Sequence, residues 1–595
     1  MNSAFILAIA ILVFGLGFRF YSKFLALKIA KLDDEKPTPA VRFNDGKDYV
    51  PMKKWTVFFY HYATIAGAGV LIGPTLAAQY GWLPCILWIL AATCLAGGVH
   101  DFMVMYLSVK YDGKSIGDIA KREVGFLCWI AVICAAFFMI IMAIAGMGVG
   151  LISALKNNPW ATFTVMATVP IALFIYAYEN WIRKGKFQEG AIIGLGLLII
   201  VLLTAPELQK MGLLNIFDLR RERLIVLIGI YSLFASIIPV HILLAPRDHL
   251  SGTIKVSGVM LITIALLIMH PTFKMPPLTV YATIGGPVVP GTLWPFLFIV
   301  ITCGAISGWH TLCCSGVSPR LIAKESHIRT IGYGGWLLES MIAVVALCLA
   351  CTLFPGDYFA INANPKVYAG IGMNPVELQR FSELIGMDLQ GRVGGVSSLS
   401  VSVANLLSDL FKRETTLAFW YQFMIVFMGI FIMPIMDHGT RMARYFVQDA
   451  LGITPKMRSK WWFSTIILAF IAVFLWGYLL WTGTIGILWP MFGICNQLMA
   501  CIGLIIATSY ILKHFKPLYG LIAFWPVIVF ASASIHGAGI RILKDLLPSG
   551  TTPAYVQMSL LLLFIVLFCL VLIEAARSWL KAFNKLMPPS KKQSI

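Results

Sequence analysis

Apolar residues run in long blocks along this chain, separated by short stretches that carry most of its charge. Fifteen blocks are long enough to cross a bilayer, because a hydrocarbon core of ~30 Å needs ~20 helical residues. They fall at about 4–22, 55–79, 82–108, 124–150, 160–178, 189–205, 224–244, 253–270, 293–315, 333–354, 418–437, 462–481, 486–512, 518–539 and 557–577. The pattern predicts an all-α polytopic membrane protein with about 15 transmembrane helices. A further apolar stretch, 391–411, could make a sixteenth.

The second block is poorly built for a continuous helix. It reads HYATIAGAGVLIGP from His61 to Pro74 and places Gly67, Gly69, Gly73 and Pro74 within eight residues at mid-span. Gly costs ~1 kcal/mol against Ala inside a helix and Pro ~3, so a break is expected there. Broken backbone at membrane depth is tolerated only where it is buried in protein or lines a cavity, and secondary transporters build substrate and ion sites from it. The seventh block, SLFASIIPVHILLAPRDHLSG, predicts a second break at Pro239, where a donor is lost and small Ala235 and Ser236 precede. The two breaks are five helices apart with opposite topology. That offset predicts two inverted five-helix repeats, blocks two to six and seven to eleven, with the breaks facing each other at mid-membrane. The expected divisions are an extra N-terminal helix and cytoplasmic loop (1–54), a first repeat (55–206) and a second repeat (207–460). The last contains a long outer region, 355–416. Peripheral helices and a basic tail (461–595) follow.

Composition agrees with the pattern: 59% of residues are hydrophobic, 12% are charged and mean hydropathy is +0.84. The net charge of +19 is explained by basic cytoplasmic loops rather than by nucleic acid. With the N-terminus outside, 33 of the 46 Lys and Arg fall on the inner side and 13 on the outer. No basic residue is then left mid-span, Lys255 being counted in an inner loop. If 391–411 crossed, the basic loop 441–460 and the basic tail would both face outside, so it is read as re-entrant or surface-lying. The first block lacks a basic n-region and a small-residue cleavage site and is read as a retained helix, not a signal peptide. The 12 cysteines lie mostly in apolar segments and mark no disulfide framework.

Several polar residues inside the blocks could carry chemistry. His100 and Asp101 sit in the third, in GGVHDF, where a buried charge is costly and points to function. Asp101 and Glu339 are the only acids well within spans. In the ninth, Ser307, Thr311 and Ser315 recur at four-residue spacing, so their hydroxyls line one side, with His310 one residue away. Such hydroxyls back-bond their own helix or coordinate a cation. His titrates near neutrality and is the natural proton carrier, which makes His61 and His310 candidates. Asp437 and Arg441 form an i,i+4 pair at the inner end of the eleventh block. No HExxH, GxSxG or GxxxxGK[ST] motif points to an enzyme.

The blocks HYATIAGAGVLIGP, GWLP, GGVHDF, GKSIGDIA, CGAISGWHTL and DHGTRMARYFVQD resemble the signature blocks of the carbon starvation protein A family. The resemblance runs from the first span to about residue 450 and more weakly beyond. Val70 stands where that family usually has Pro, and His438 where Ala is common. The resemblance implies a secondary transporter of the amino acid–polyamine–organocation superfamily, with a leucine-transporter-like core, importing peptides or pyruvate. It implies proton coupling in the pyruvate members.

The expectation is proton-coupled import of a small carboxylate nutrient by alternating access in the inner membrane, with substrate, coupling ion and lipids as partners. Gly67, Ala68, Gly69, Ser236, Pro239, Ser307 and His310 would bind substrate. His61, His310, His100 and Asp101 would handle the proton. If sodium were used instead, Ser307 and Thr311 would take it. A channel and a nutrient sensor are the rivals from other classes. No cofactor is expected.

Overall fold

A computed structural model describes residues 1–586 except 47, 185 and 454–456; the end of the basic tail lies outside the described residues. Among the described residues twelve helices are long and apolar enough to cross a membrane, thirteen if the bent pair counts as one span. Among the described residues there are no strands, only two isolated bridges.

Helix α1 (Ser3–Ile29) is followed by the bent pair, α2 (Lys54–Ile65) and α3 (Gly69–Ala77). Its halves meet at 53°. Ala66 turns extended (φ −64°, ψ 95°) and ends α2, while α3 restarts at Gly69 with amides Leu71 and Ile72 returning to the Ala68 carbonyl. The break falls in the glycine run, as the helix cost of those residues predicts. Next come α4 (Trp82–Lys110), α5 (Phe126–Leu155), α6 (Pro159–Ile182) and α7 (Glu189–Lys210).

The seventh and ninth expected spans are not single long helices. The seventh is α8 (Arg221–Ile237), which stops at an extended Ile238 (φ −60°, ψ 142°); the residue before a proline is driven out of the helical region. Pro239 lies in the exposed link to α9 (Leu244–Met269). The ninth is three short helices, α10 (Leu293–Val300), α11 (Thr302–Ala305) and α12 (Gly308–Cys313). Ile306 and Ser307 between the last two are extended.

The chain continues through α13 (Arg329–Ala350), α14 (Val396–Phe411), α15 (Leu417–Ala450), α16 (Lys460–Thr482), α17 (Ile485–His514), α18 (Pro517–Ser549) and α19 (Thr552–Lys581). Helix α14 has only 16 residues and is buried against α15, α9 and α13. It sits inside the bundle, not on its surface.

Two expectations are corrected here. Helix α17 was placed among peripheral C-terminal helices, yet it is buried along nearly its whole length and packs on α5, α12, α10 and α4. Further, the break at Gly67 meets the ninth block, not the seventh. A Cβ on Gly69 would stand 2.5 Å from Cys303 Sγ, and one on Gly73 would stand 2.6 Å from the Val300 carbonyl. Glycines at both positions let α3 press on the backbone of α10 and α11. The five-helix offset between breaks therefore does not describe which broken segments touch.

Candidate functional site

Breaking two helices frees backbone groups that must find partners inside the protein. Helix α17 supplies many of them. Asn496 Oδ1 accepts from the Trp309 amide at 3.1 Å, and its Nδ2 donates to Thr302 Oγ1 at 3.1 Å. Gln497 Nε2 donates to the Phe298 carbonyl at 2.5 Å and Trp489 Nε1 to the Val300 carbonyl at 3.2 Å. These contacts explain why a helix with two adjacent amides belongs in the core.

At the other break, Lys255 Nζ of α9 donates to the Ala66 carbonyl at 3.1 Å, the last carbonyl before the chain unwinds. Its ammonium lies 4.9 Å from the Phe431 ring centroid, and the residue is buried. This corrects the placement of Lys255 in a loop: α9 begins at Leu244, so Lys255 lies well inside it. A cation at the negative, C-terminal end of a half-helix is favourably placed.

On the amide side of the same break, the Gly67 N–H faces the carboxylate of Glu339 from α13. Glu339 opens a buried polar chain. Its Oε2 is 2.9 Å from His310 Nε2, His310 Nδ1 is 2.7 Å from Asp101 Oδ2, and Asp101 Oδ1 is 2.7 Å from His100 Nδ1. His100 Nε2 ends the chain 2.8 Å from Thr311 Oγ1. The Glu339–His310 approach is an ion pair rather than an aligned hydrogen bond, and Glu339 Oε2 has no well-directed donor. None of Glu339, His310, Asp101 and His100 is more than 1% exposed.

The proton inventory of this chain follows from donor chemistry. A neutral imidazole has one N–H and one lone pair, whereas both nitrogens of His310 face carboxylate oxygens. The contacts are satisfied when one extra proton resides in the Asp101–His310–Glu339 triad, on the ring or on a carboxylate. Glu339, noticed in the sequence only as a mid-span acid, thus joins His310, Asp101 and His100.

His61 lies beside this chain. Its Nδ1 is 2.8 Å from Ser318 Oγ and its Nε2 is 3.7 Å from Cys314 Sγ. His61, Asp101 and Cys314 present one ligand atom each within 4.8 Å of one another.

Other expected site residues are placed elsewhere. Ser236 is buried but donates back to Leu233 O at 2.9 Å, and Pro239 is exposed, so neither joins the cluster. The extended Ile306–Ser307 pair takes Ser307 off the helical stripe of Thr311 and Ser315. Thr311 is engaged by His100, and Ser315 Oγ donates to Thr311 O at 2.7 Å, so the hydroxyl stripe is not a ready cation face. Gly67, Ala68 and Gly69 do form the first break.

The expected Asp437–Arg441 pair is also replaced. Asp437 accepts from Arg247 Nη1 and, at 2.7 Å, from Tyr231 OH. Arg441 Nη2 donates instead to the carbonyls of Ala235 and Ile238, closing the C-terminus of α8. His438 Nε2 is 2.9 Å from Asp248 Oδ2. Pairing across helices wins because α8 ends at Pro239 and leaves carbonyls that need donors.

A bundle of a dozen or more membrane-length helices, with two broken segments meeting at a buried ionisable chain, is the architecture of a membrane transporter. The profile of the family described as carbon starvation protein CstA matches residues 2–536, and the chain belongs to that family. A Bacillus subtilis protein named peptide transporter CstA is 35% identical over 584 residues, 97% of each chain. An Escherichia coli K12 protein of the same name is 37% identical, covering 88% of this chain and 79% of its own. The pyruvate/proton symporter BtsT of Escherichia coli K12 is 34% identical, covering 91% of this chain and 82% of its own. Among solved structures, a mutant manganese transporter of Eremococcus coleocola aligns with 90% of this chain and 99% of its own at 12% identity. The TM-score of that alignment is 0.31.

Proposed function

We propose that this transporter imports a small carboxylate nutrient, a peptide, amino acid or pyruvate, together with a proton, by alternating access in the inner membrane. The N-terminus faces outside and the described C-terminal helix leads inside, following the bias of basic residues. The observation that carries the reading is the Gly67 amide facing Glu339, whose carboxylate in turn stands 2.9 Å from His310 Nε2. A backbone N–H freed just before a half-helix attracts an anion, and here an internal carboxylate faces it. Protonating Glu339 through His310 neutralises that carboxylate and releases the amides at Gly67, Ala68 and Gly69 to a substrate carboxylate. Proton and substrate then favour each other's binding, a reciprocal coupling. Asp101 and His100 hold the proton donor in place, and His61 is the next titratable group beside them.

The names of the relatives support both substrate classes, peptides and pyruvate, and one of those names specifies a proton. Sodium coupling is disfavoured by the position of Lys255. A fixed ammonium on the Ala66 carbonyl stands where freed carbonyls would take a metal cation. A channel or sensor has no use for a carboxylate that competes with substrate. The test is reconstituted uptake of pyruvate and of a dipeptide under an imposed pH gradient and, separately, a sodium gradient. Accumulation driven by pH alone is expected. Accumulation driven only by sodium, or dissipative flux without coupling, would overturn the reading.

A further inference from the structure

One cavity lies away from the buried chain. It holds about 650 Å³ where the end of α5, the start of α8, the loop 387–393 before α14 and the start of α17 converge. Lys156, Arg221 and Arg392 line it, with Asp388 as the only acid among the described residues of its wall.

The two guanidinium groups are fixed by neutral carbonyls. Arg221 Nη2 donates to Leu480 O at 2.5 Å and Gly483 O at 2.6 Å. Arg392 Nε donates to Asp388 O at 2.8 Å and its Nη1 to Lys156 O at 3.2 Å. Among the described residues no carboxylate stands within 4.0 Å of any of the three cations, although Asp388 shares the cavity. Asp388 Oδ1 is turned to the Gln390 amide at 2.9 Å. A guanidinium has five N–H donors, so both arginines keep donors in reserve, held in position by bonds that do not neutralise them.

A packed floor lies between the cavity and the broken helix. Between the wall residues Val149 and Ile152 lies Gly150, and a Cβ on Gly394 would stand 3.0 Å from its Cα. Gly394 adopts φ +118°, open to glycine alone. A Cβ on Gly150 would touch Ile72 of α3 at 3.4 Å. Two glycines in backbone contact thus separate the cavity from α3.

We propose that this cavity is a vestibule that receives carboxylate anions, with Lys156, Arg221 and Arg392 holding the carboxylate before it passes the Gly150–Gly394 floor toward α3. This rests on the transport reading above for its purpose, but not for its chemistry. Free pyruvate and the C-terminus of a peptide present the same group. Asp388 opposes dicarboxylates and offers a partner to the ammonium of a peptide.

The experiment places a reporter thiol in the vestibule as Gln390→Cys, with Val367→Cys, also in its lining, as a second reporter. Native cysteines are buried or half-buried, and the unmodified chain serves as background. Labelling rates are measured on intact cells with a sulfonate-bearing and a trimethylammonium-bearing methanethiosulfonate. A focused positive field raises anion encounter ~10-fold or more, so the sulfonate reagent should react about 10-fold faster. Lys156→Gln with Arg392→Gln should bring that ratio near one. Pyruvate and dialanine should slow labelling, while dialanine amide should not; protection by only one acid identifies the source of the carboxylate. Equal rates for both reagents, no protection by either acid, or equal protection by the amide would overturn the vestibule. If protection is seen but neither acid is taken up, the vestibule stands and the transport reading fails. If uptake occurs, the double variant should raise KM about 10-fold with the maximal rate unchanged; a fall in rate at constant KM would count against it.

Discussion

Replacing Glu339 with Gln separates proton coupling from substrate passage. Gln keeps the size of the side chain and an acceptor for the Gly67 amide, but it cannot ionise or take a proton. The lost interaction is the ion pair at 2.9 Å to His310 Nε2. A hydrogen bond to a charged group contributes ~1.5–3 kcal/mol, and the poor alignment here places it at the low end. His310 keeps its 2.7 Å contact with Asp101, so the fold should persist. In the proposed mechanism a neutral side chain at 339 mimics the loaded carrier. Substrate should therefore bind without a proton, and its affinity should no longer depend on pH. For one proton per substrate, each pH unit corresponds to ~1.4 kcal/mol, or tenfold accumulation. In proteoliposomes with one pH unit imposed, the wild type should approach that ratio. Glu339→Gln should stay near one while still exchanging labelled for unlabelled substrate, slowed no more than about fivefold. Gradient-driven accumulation in the variant would refute the role of Glu339. Loss of exchange together with accumulation would show instead that the carboxylate serves the fold.

Four further outcomes are expected. Gly69→Leu should abolish uptake at normal expression, because even a Cβ there meets Cys303 Sγ at 2.5 Å; Gly69→Ala should be impaired and partly rescued by Cys303→Ala, and wild-type uptake by the Leu variant would exclude the α3–α11 contact from function. Lys255→Met should lower uptake about tenfold, since an unsatisfied buried carbonyl costs ~1–3 kcal/mol, and sodium should not restore it; full activity or rescue by sodium would remove the ammonium from the account. Asn496→Ala leaves the Trp309 amide and the Thr302 hydroxyl without their partner and should cost ~2 kcal/mol of stability, read as faster thermal inactivation in detergent. Asp437→Asn leaves Arg247, 4% exposed, without its counter-charge at a cost of ~3–5 kcal/mol, and adding Arg247→Met should recover most of it.

The membrane class, the helical architecture and the break at Gly67–Gly69 follow from the sequence alone. Each depends on local composition: apolar length against bilayer thickness, and the helix cost of glycine and proline within one block. The bend at Ala66 appears where the glycine run predicts it. His310, His100 and Asp101 were visible as ionisable residues inside apolar blocks because burying charge is costly wherever it occurs. Tertiary structure decided which of these groups meet. His310 and Asp101 are 209 residues apart yet 2.7 Å in contact, and no local period encodes that. The second break illustrates the limit. Pro239 does end α8, but the segment touching α3 is the run around Val300 and Cys303, where glycine contacts rather than proline set the approach. Lys255 reads as an inner-loop charge until α9 is seen to start at Leu244, which draws the lysine into the protein beside the Ala66 carbonyl. Asp437 and Arg441 look like a local pair by spacing, but the free carbonyls of α8 and the buried Arg247 outbid that spacing once the helices pack. Local sequence sets where a helix must bend or stop; only packing supplies the partners for the groups that bending leaves exposed.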